Sequence, residues 1–252
     1  MNTPNGVILF EGPSAIDGAP IVVIAVGLKK ASSNSKTGGM IQTYILRSDI
    51  SPIDAVHTGL DVSICGTCIH RGDGTGKART CYVNLGQGVT VVYKAYKRGV
   101  YPHATDWSVF TGRDVRFGTY GDPAAAPLAL WARLARLSRM HTGYIHRWRE
   151  LPAIWASLFM ASADTANDAA DAHAMGYRTF RVVPAGLNWL EREVLCPASK
   201  EAGKKLQCAD CGACNGVRTG RKSSIVIPLH GGTAVMANVK HLEARIIARQ
   251  AA

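Results

Sequence analysis

Seven cysteines in two tight groups constrain this chain more than any other feature. In the first group, "CGTCIHRGDGTGKARTC", Cys65, Cys68 and Cys81 flank a glycine-rich basic loop that also carries His70. In the second, "CPASKEAGKKLQCADCGAC", Cys196 precedes Cys208, Cys211 and Cys214, the last three separated by paired two-residue gaps. Residues 1 to 30 show no basic start followed by an apolar signal core, and no stretch is long and apolar enough for a membrane span. The expected compartment is the cytoplasm, with no membrane partner. Thiols stay reduced there, so an odd number of cysteines at short spacings favours metal ligation over a disulfide framework.

The two-residue gaps let a tight turn aim Cys208, Cys211 and Cys214 at one ion. Cys196 can supply the fourth ligand, or His230 can, so zinc would see either four cysteines or three cysteines and a histidine in a closed tetrahedral site. Lys204, Lys205, Arg218, Arg221 and Lys222 flank this knuckle, residues 196 to 230, with positive charge that favours thiolate. An iron-sulfur cluster is the alternative occupant. Cys65, Cys68 and Cys81 form a second possible site if a fourth ligand arrives from elsewhere.

In 252 residues, 47% of them hydrophobic and 19% charged, there is enough apolar side chain for one large core, which excludes a disordered tail. Two apolar β-like runs, "GVILFEG" and "APIVVIAVGL", suggest a hairpin in a peripheral N-terminal extension, residues 1 to 40. From residue 60, within a second region spanning 41 to 252, short apolar runs alternate with helical segments. Eight runs are strand candidates: 61–65, 81–84, 115–122, 142–146, 158–164, 178–183, 193–196 and 224–230. Helices are expected over 123–139, with Asp122 as N-cap, and over 165–175. Eight βα repeats predict a compact TIM-like (β/α)8 barrel of α/β class. Cys65, Asn84, Asp122, His146, Asp164, Cys196 and His230 sit at or beside the expected strand ends, the rim where barrel active sites are built.

A formal charge of +11 suits a polyanionic partner, and nucleic acid, DNA or RNA, is the expected one. "YKAYKRG" is the densest local candidate, with Tyr93 and Tyr96 between Lys94, Lys97 and Arg98 to contact phosphates and stack on bases. The tyrosines and preceding valines would equally make the buried stripe of a helix.

The knuckle with its following histidine, Cys208, Cys211, Cys214 and His230, resembles the zinc element of the tRNA-guanine transglycosylases and their DNA-modifying relatives, which insert 7-deazaguanine bases. The resemblance implies a TIM-like barrel, a structural zinc, and a glycosyltransferase that exchanges guanine on an intact backbone. One aspartate would attack the sugar carbon and another assist; Asp122 and Asp164 are the candidates, with His146 as acid, base or metal ligand. Two other readings stand beside it. One is an atypical iron-sulfur enzyme resembling the radical S-adenosylmethionine enzymes, which hold a cluster in the loop after the first barrel strand, here on Cys65, Cys68 and Cys81. The other is a non-enzymatic, zinc-stapled nucleic-acid-binding protein.

Overall fold

The computed structural model describes residues 4–32, 34–184, 189–203, 206–217, 220 and 223–250. The chain opens with a hairpin of β1 (Gly6–Pro13) and β2 (Pro20–Val26), followed by β3 (Ile41–Arg47). A long excursion then carries α1 (Pro52–His57), α2 (Val62–Cys65), the cysteine loop and α3 (Thr90–Lys97). Next come β4 (Asp114–Tyr120), α4 (Leu128–Leu137), β5 (Met140–Thr142), β6 (Tyr144–Ile145) and β7 (Met160–Ala163). The last third holds α5 (Ala166–Ala174), β8 (Thr179–Val183), β9 (Glu193–Leu195), the one-turn α6 (Cys208–Cys211), β10 (Ser224–Pro228), α7 (Thr233–Ala237) and α8 (Val239–Gln250).

The strands form two five-stranded sheets, in the orders β1-β2-β3-β4-β5 and β6-β7-β8-β10-β9. β1, β2 and β3 pair antiparallel, and every later pairing, from β3 with β4 to β10 with β9, is parallel. The sheets meet at residues 140–145. The first half of this segment pairs with β4 and the second half with β7, and Gly143 stands between them. At Gly143 the backbone leaves the ladder: its N–H donates to the Cys214 carbonyl at 2.9 Å, and its own carbonyl accepts from Met160 at 3.1 Å. A Cβ here would lie 3.0 Å from Phe117 Cβ and from the Phe159 ring, a contact that one or other neighbour must shift by a few tenths of an ångström to admit.

Among the described residues no pairing joins β9 to β1, so the strands do not close into a TIM-like ring. The mixed α/β class holds, and six of the eight strand candidates appear as β4, β5–β6, β7, β8, β9 and β10. The other two do not. Residues 61–65 are helical because tertiary bonds override β-propensity: Ser63 donates to Asp17 and accepts from Arg47, and its carbonyl accepts from Ser14. Residues 81–84 run as irregular chain beside the cavity described below. In their place β3 supplies the first parallel strand. Its pattern hid it, because Gln42, Thr43 and Arg47 are buried polar residues, satisfied respectively by Thr37 and Met40, by the Arg116 carbonyl, and by Asp49 and Ser63.

The N-terminal hairpin is not peripheral. β2 lies between two strands, and Ile21 to Ala25 are completely buried, which explains their unbroken apolar run. This core continues through Phe117, Trp131, Ile145 and Phe159 on the outer face of the parallel strands. The expected helix over 123–139 is a short 3-10 turn, Pro123–Ala125, followed by α4. α5 begins at a capping box in which Thr165 and Asp168 each accept the other's backbone N–H.

Gly143→Val is expected to destabilise the fold by about 1–3 kcal/mol, because its branched side chain must displace Phe117 and Phe159. Denaturant unfolding with an unchanged midpoint would show that the sheet junction tolerates a side chain.

Candidate functional site

A cavity of about 130 Å³ lies on the other face of the parallel strands, toward their C-terminal ends. Gly118, Tyr120, Tyr144, Ser162, Phe180, Val182 and Ile227 form its sheet side. Cys65, Cys68, His70, Cys81 and Tyr82, from the loop after α2, form the opposite wall. Strand alternation explains the first set, since residues two apart point to one face.

The cysteine loop is fixed from three sides. Arg71 pairs with buried Asp61 at 2.5 Å and donates to the carbonyls of Gly66 and Gly59. From α8, Arg249 donates to the Thr67 carbonyl at 2.6 Å and Arg245 to that of Ala78 at 2.9 Å. Ile69 packs with Leu242 and Ile246 of α8 and with Leu229 after β10. Gly72 is required in the loop: its φ is +87°, and a Cβ would stand 2.1 Å from the Lys77 carbonyl.

The loop brings Cys65, Cys68 and Cys81 together at the cavity. Burial pushes the Cys65 and Cys81 thiols up, and neighbouring Asp61, Cys68 and Cys81 raise Cys65 further. Cys68 Sγ stands 3.3 Å from His146 Nε2. Burial alone would lower the His146 imidazole, but Cys68, Asp164 and Asp122 outweigh it and lift the ring to about 10. His70 takes the opposite course. Burial, His146 and three arginines drive it down to about 3, and its Nδ1 lies 3.0 Å from the Thr80 hydroxyl. On the sheet side, the Tyr120 hydroxyl is buried with no hydrogen-bond partner among the described residues.

Both candidate carboxylates are committed. Asp122 accepts the Ala124 N–H on Oδ1 at 2.8 Å and the His146 N–H on Oδ2 at 2.6 Å, tying the exit of β4 to that of β6. Asp164 is ion-paired with Arg249. Burial raises both carboxyl groups, against the pull of His146 on each.

The four knuckle cysteines pack in one small cluster, with Cys196 and Cys214 buried and Cys208 and Cys211 half-buried against them. One helical turn places Cys208 and Cys211 on the same side, and Gly212, at φ +57°, turns the chain back toward Cys214. His230 is elsewhere: it lines the cavity, stacks at 5.7 Å on Tyr82 and bonds the Pro228 carbonyl at 2.9 Å. Among the described residues, no group of three or more His, Cys, Asp or Glu side chains stands arranged to hold a metal ion.

In the 93–99 segment, Tyr93 is buried in the core and Tyr96 donates to Glu11, so Tyr93 cannot stack on a base. Lys94, Lys97 and Arg98 are exposed. Lys204, Lys205, Arg218, Arg221 and Lys222 lie outside the described residues. Among the described residues no helix is long and apolar enough to cross a membrane. Sequence reasoning missed Lys36, Arg116 and Arg249. The available signal was an arginine inside the strand run "VRFGTY", where charge is uncommon. Comparison of the chain with protein-family models, with curated proteins and with solved structures returns no match.

Asp122→Asn is expected to lower stability by about 1–3 kcal/mol, because the amide keeps one acceptor and turns an NH2 toward a buried N–H. An unchanged thermal midpoint would mean that Asp122 is an ordinary cap, for which Asn serves equally well.

Proposed function

We propose that the chain is an iron-sulfur enzyme carrying its cluster on Cys65, Cys68 and Cys81, at the C-terminal rim of an open α/β barrel. One observation carries this reading: three thiols, Cys65 at the end of α2 and Cys68 and Cys81 in the loop after it, line the cavity at the C-terminal ends of the parallel strands. Ligands of open α/β sheets bind at that end. The cysteine loop lies in the excursion between β3, the first parallel strand, and β4, and radical S-adenosylmethionine enzymes also hold a cluster after their first barrel strand, although the two- and twelve-residue gaps here depart from their usual cysteine spacing. Guanine exchange has less support, since it needs a carboxylate at liberty to attack a sugar carbon and both candidates are bonded to structure. The zinc-stapled nucleic-acid binder rests on the net charge and the cysteine knuckle, and it leaves the cavity thiols without a role.

The support is the residue type of the donors, whose side chains do not stand in a ligating arrangement among the described residues. Thiolate is the ligand of iron-sulfur clusters, and three cysteines would satisfy all but one position of a four-iron cluster. The Tyr120 hydroxyl beside them is a buried donor with no partner among the described residues. Such a cluster supplies one-electron chemistry when bound. The chain's own contribution begins with protons. Buried thiols must lose theirs to ligate, and the His146 ring, held protonated beside Cys68, would stabilise a thiolate there. Aromatic and aliphatic side chains from β6, β8 and β10 exclude water from the space beyond. Cys196, Cys208, Cys211 and Cys214 form the second, closed site in this proposal, holding α6 to the sheet through the Gly143–Cys214 bond.

Protein purified without oxygen is expected to be brown, with stoichiometric iron and sulfide, and Cys68→Ala is expected to lose the iron held by the loop. Colourless protein, or unchanged iron in Cys68→Ala, would overturn the cluster. Selective alkylation of Cys68 in metal-free protein would then assign a thiol nucleophile with His146 as its base.

At the knuckle, Cys211→Ser is expected to lose its metal and part of a binding free energy of about 10 kcal/mol, with a lower thermal midpoint. His230→Ala should keep both. Metal loss in His230→Ala with retention in Cys196→Ser would restore the three-cysteine, one-histidine set.

A further inference from the structure

Arg116 lies on β4, in the wall of the inner cavity and of a second, more polar cavity of about 520 Å³ beside it. Only 8% of the residue is exposed, and a guanidinium keeps its charge at any ordinary pH. The other buried arginines of this half are compensated. Arg181 makes a two-pronged pair with Glu193 at 2.6 and 2.7 Å, and Arg178 donates to the carbonyls of Ser223 and Gly216. Arg116 has neither arrangement. Its hydrogen bond goes to the Tyr144 hydroxyl at 3.1 Å, and it lies 4.9 Å over the same ring. Among the described residues no carboxylate stands within ion-pair distance of it.

The acidic neighbours of Arg116 are the Tyr144 hydroxyl and the Cys208 and Cys214 thiols, all three raised by burial, so no carboxylate offsets the desolvation of the guanidinium and a ligand oxyanion would. Lys36 lines both cavities as well, so two cations face the polar chamber, with Thr37, Gln42 and Asn84 as further hydrogen-bonding groups. The inner chamber is aromatic on this side: Tyr144 and Phe180 lie 4.3 Å apart, and Tyr82 stacks on His230. A guanidinium fork matches the two oxygens of a carboxylate or phosphate, and ring faces take an unsaturated body.

We propose that Arg116, with Lys36, binds the oxyanion of a small organic ligand, a phosphate or a carboxylate, whose ring lies against Tyr82, Tyr144 and Phe180. This names the substrate class of the cavity, and it rests on the cluster reading only for where the reaction occurs.

The test is calorimetric titration of the anaerobically purified full chain with two anions and their neutral counterparts. Guanosine 5′-monophosphate against guanosine reads the phosphate arm, and phenylacetate against phenylacetamide the carboxylate arm. At least one anion is expected to bind at least tenfold tighter than its counterpart, and Arg116→Met should abolish that difference. The thermal midpoint of unliganded Arg116→Met should rise, since a chain of similar volume replaces an uncompensated charge. Lys36→Gln, at a half-exposed position where folding is not at stake, should weaken the same anion at least threefold. Neutral counterparts binding as well as both anions, or wild-type anion affinity in Arg116→Met or Lys36→Gln, would overturn the site. Iron measured on the same samples separates the two ideas: anion binding without iron leaves this inference standing while the cluster reading falls.

Discussion

The break at Gly143 is the constraint on which the rest depends. A single extended segment, residues 140–145, serves two sheets by pairing with β4 through its first half and with β7 through its second. A side chain at the hinge would crowd Phe117 and Phe159, which stand 3.0 Å from where its Cβ would lie. The freed N–H bonds Cys214, so the same residue that joins the sheets also docks the cysteine knuckle. Sheet junction, core and knuckle therefore form one mechanical unit. Parallel strands brought round in this way present their C-terminal ends to a shared space, and that space is the cavity.

The cavity is closed by a loop that no local secondary structure could hold. Its stability comes from distant partners: Asp61 before it, and the arginines and apolar residues of α8 far along the chain. Arg249 links two features at once, donating to the Thr67 carbonyl and pairing with Asp164 at the end of β7. Ala78 adopts φ +52°, which costs a non-glycine residue about 1 kcal/mol or more, and its carbonyl accepts from Arg245. Strain and arginine contacts thus concentrate on the segment that carries the thiols.

Charge in this interior is arranged unevenly. Arg181 and Glu193 neutralise each other, Asp122 accepts a backbone N–H on each oxygen, and Asp164 pairs through Oδ2 with Arg249. His146 with Cys68, the Tyr120 hydroxyl and Arg116 are the groups that architecture does not use up. All of them border the same cavity. Other buried polar atoms without a partner among the described residues, such as the Thr142, Tyr177 and Thr179 hydroxyls, lie away from this cavity.

Local rules made part of this legible from the chain alone. Apolar runs such as "SIVIP" and "TFRVV" define strands, Thr165 and Asp168 define the start of α5, and gaps of two residues define the knuckle, because each depends only on neighbours a few positions apart. The tertiary structure alone decided the rest. It turned residues 61–65 into helix through bonds to Ser14, Asp17 and Arg47, and admitted β3 with buried Gln42 and Thr43 by giving each a distant partner. It left the ring of strands open, grouped Cys196 rather than His230 with the knuckle, and set Cys68 against His146 across 78 positions of chain. It also left Arg116 without a carboxylate partner among the described residues. Which groups meet, and which buried charge goes unmatched, is fixed by long-range packing that no local pattern encodes.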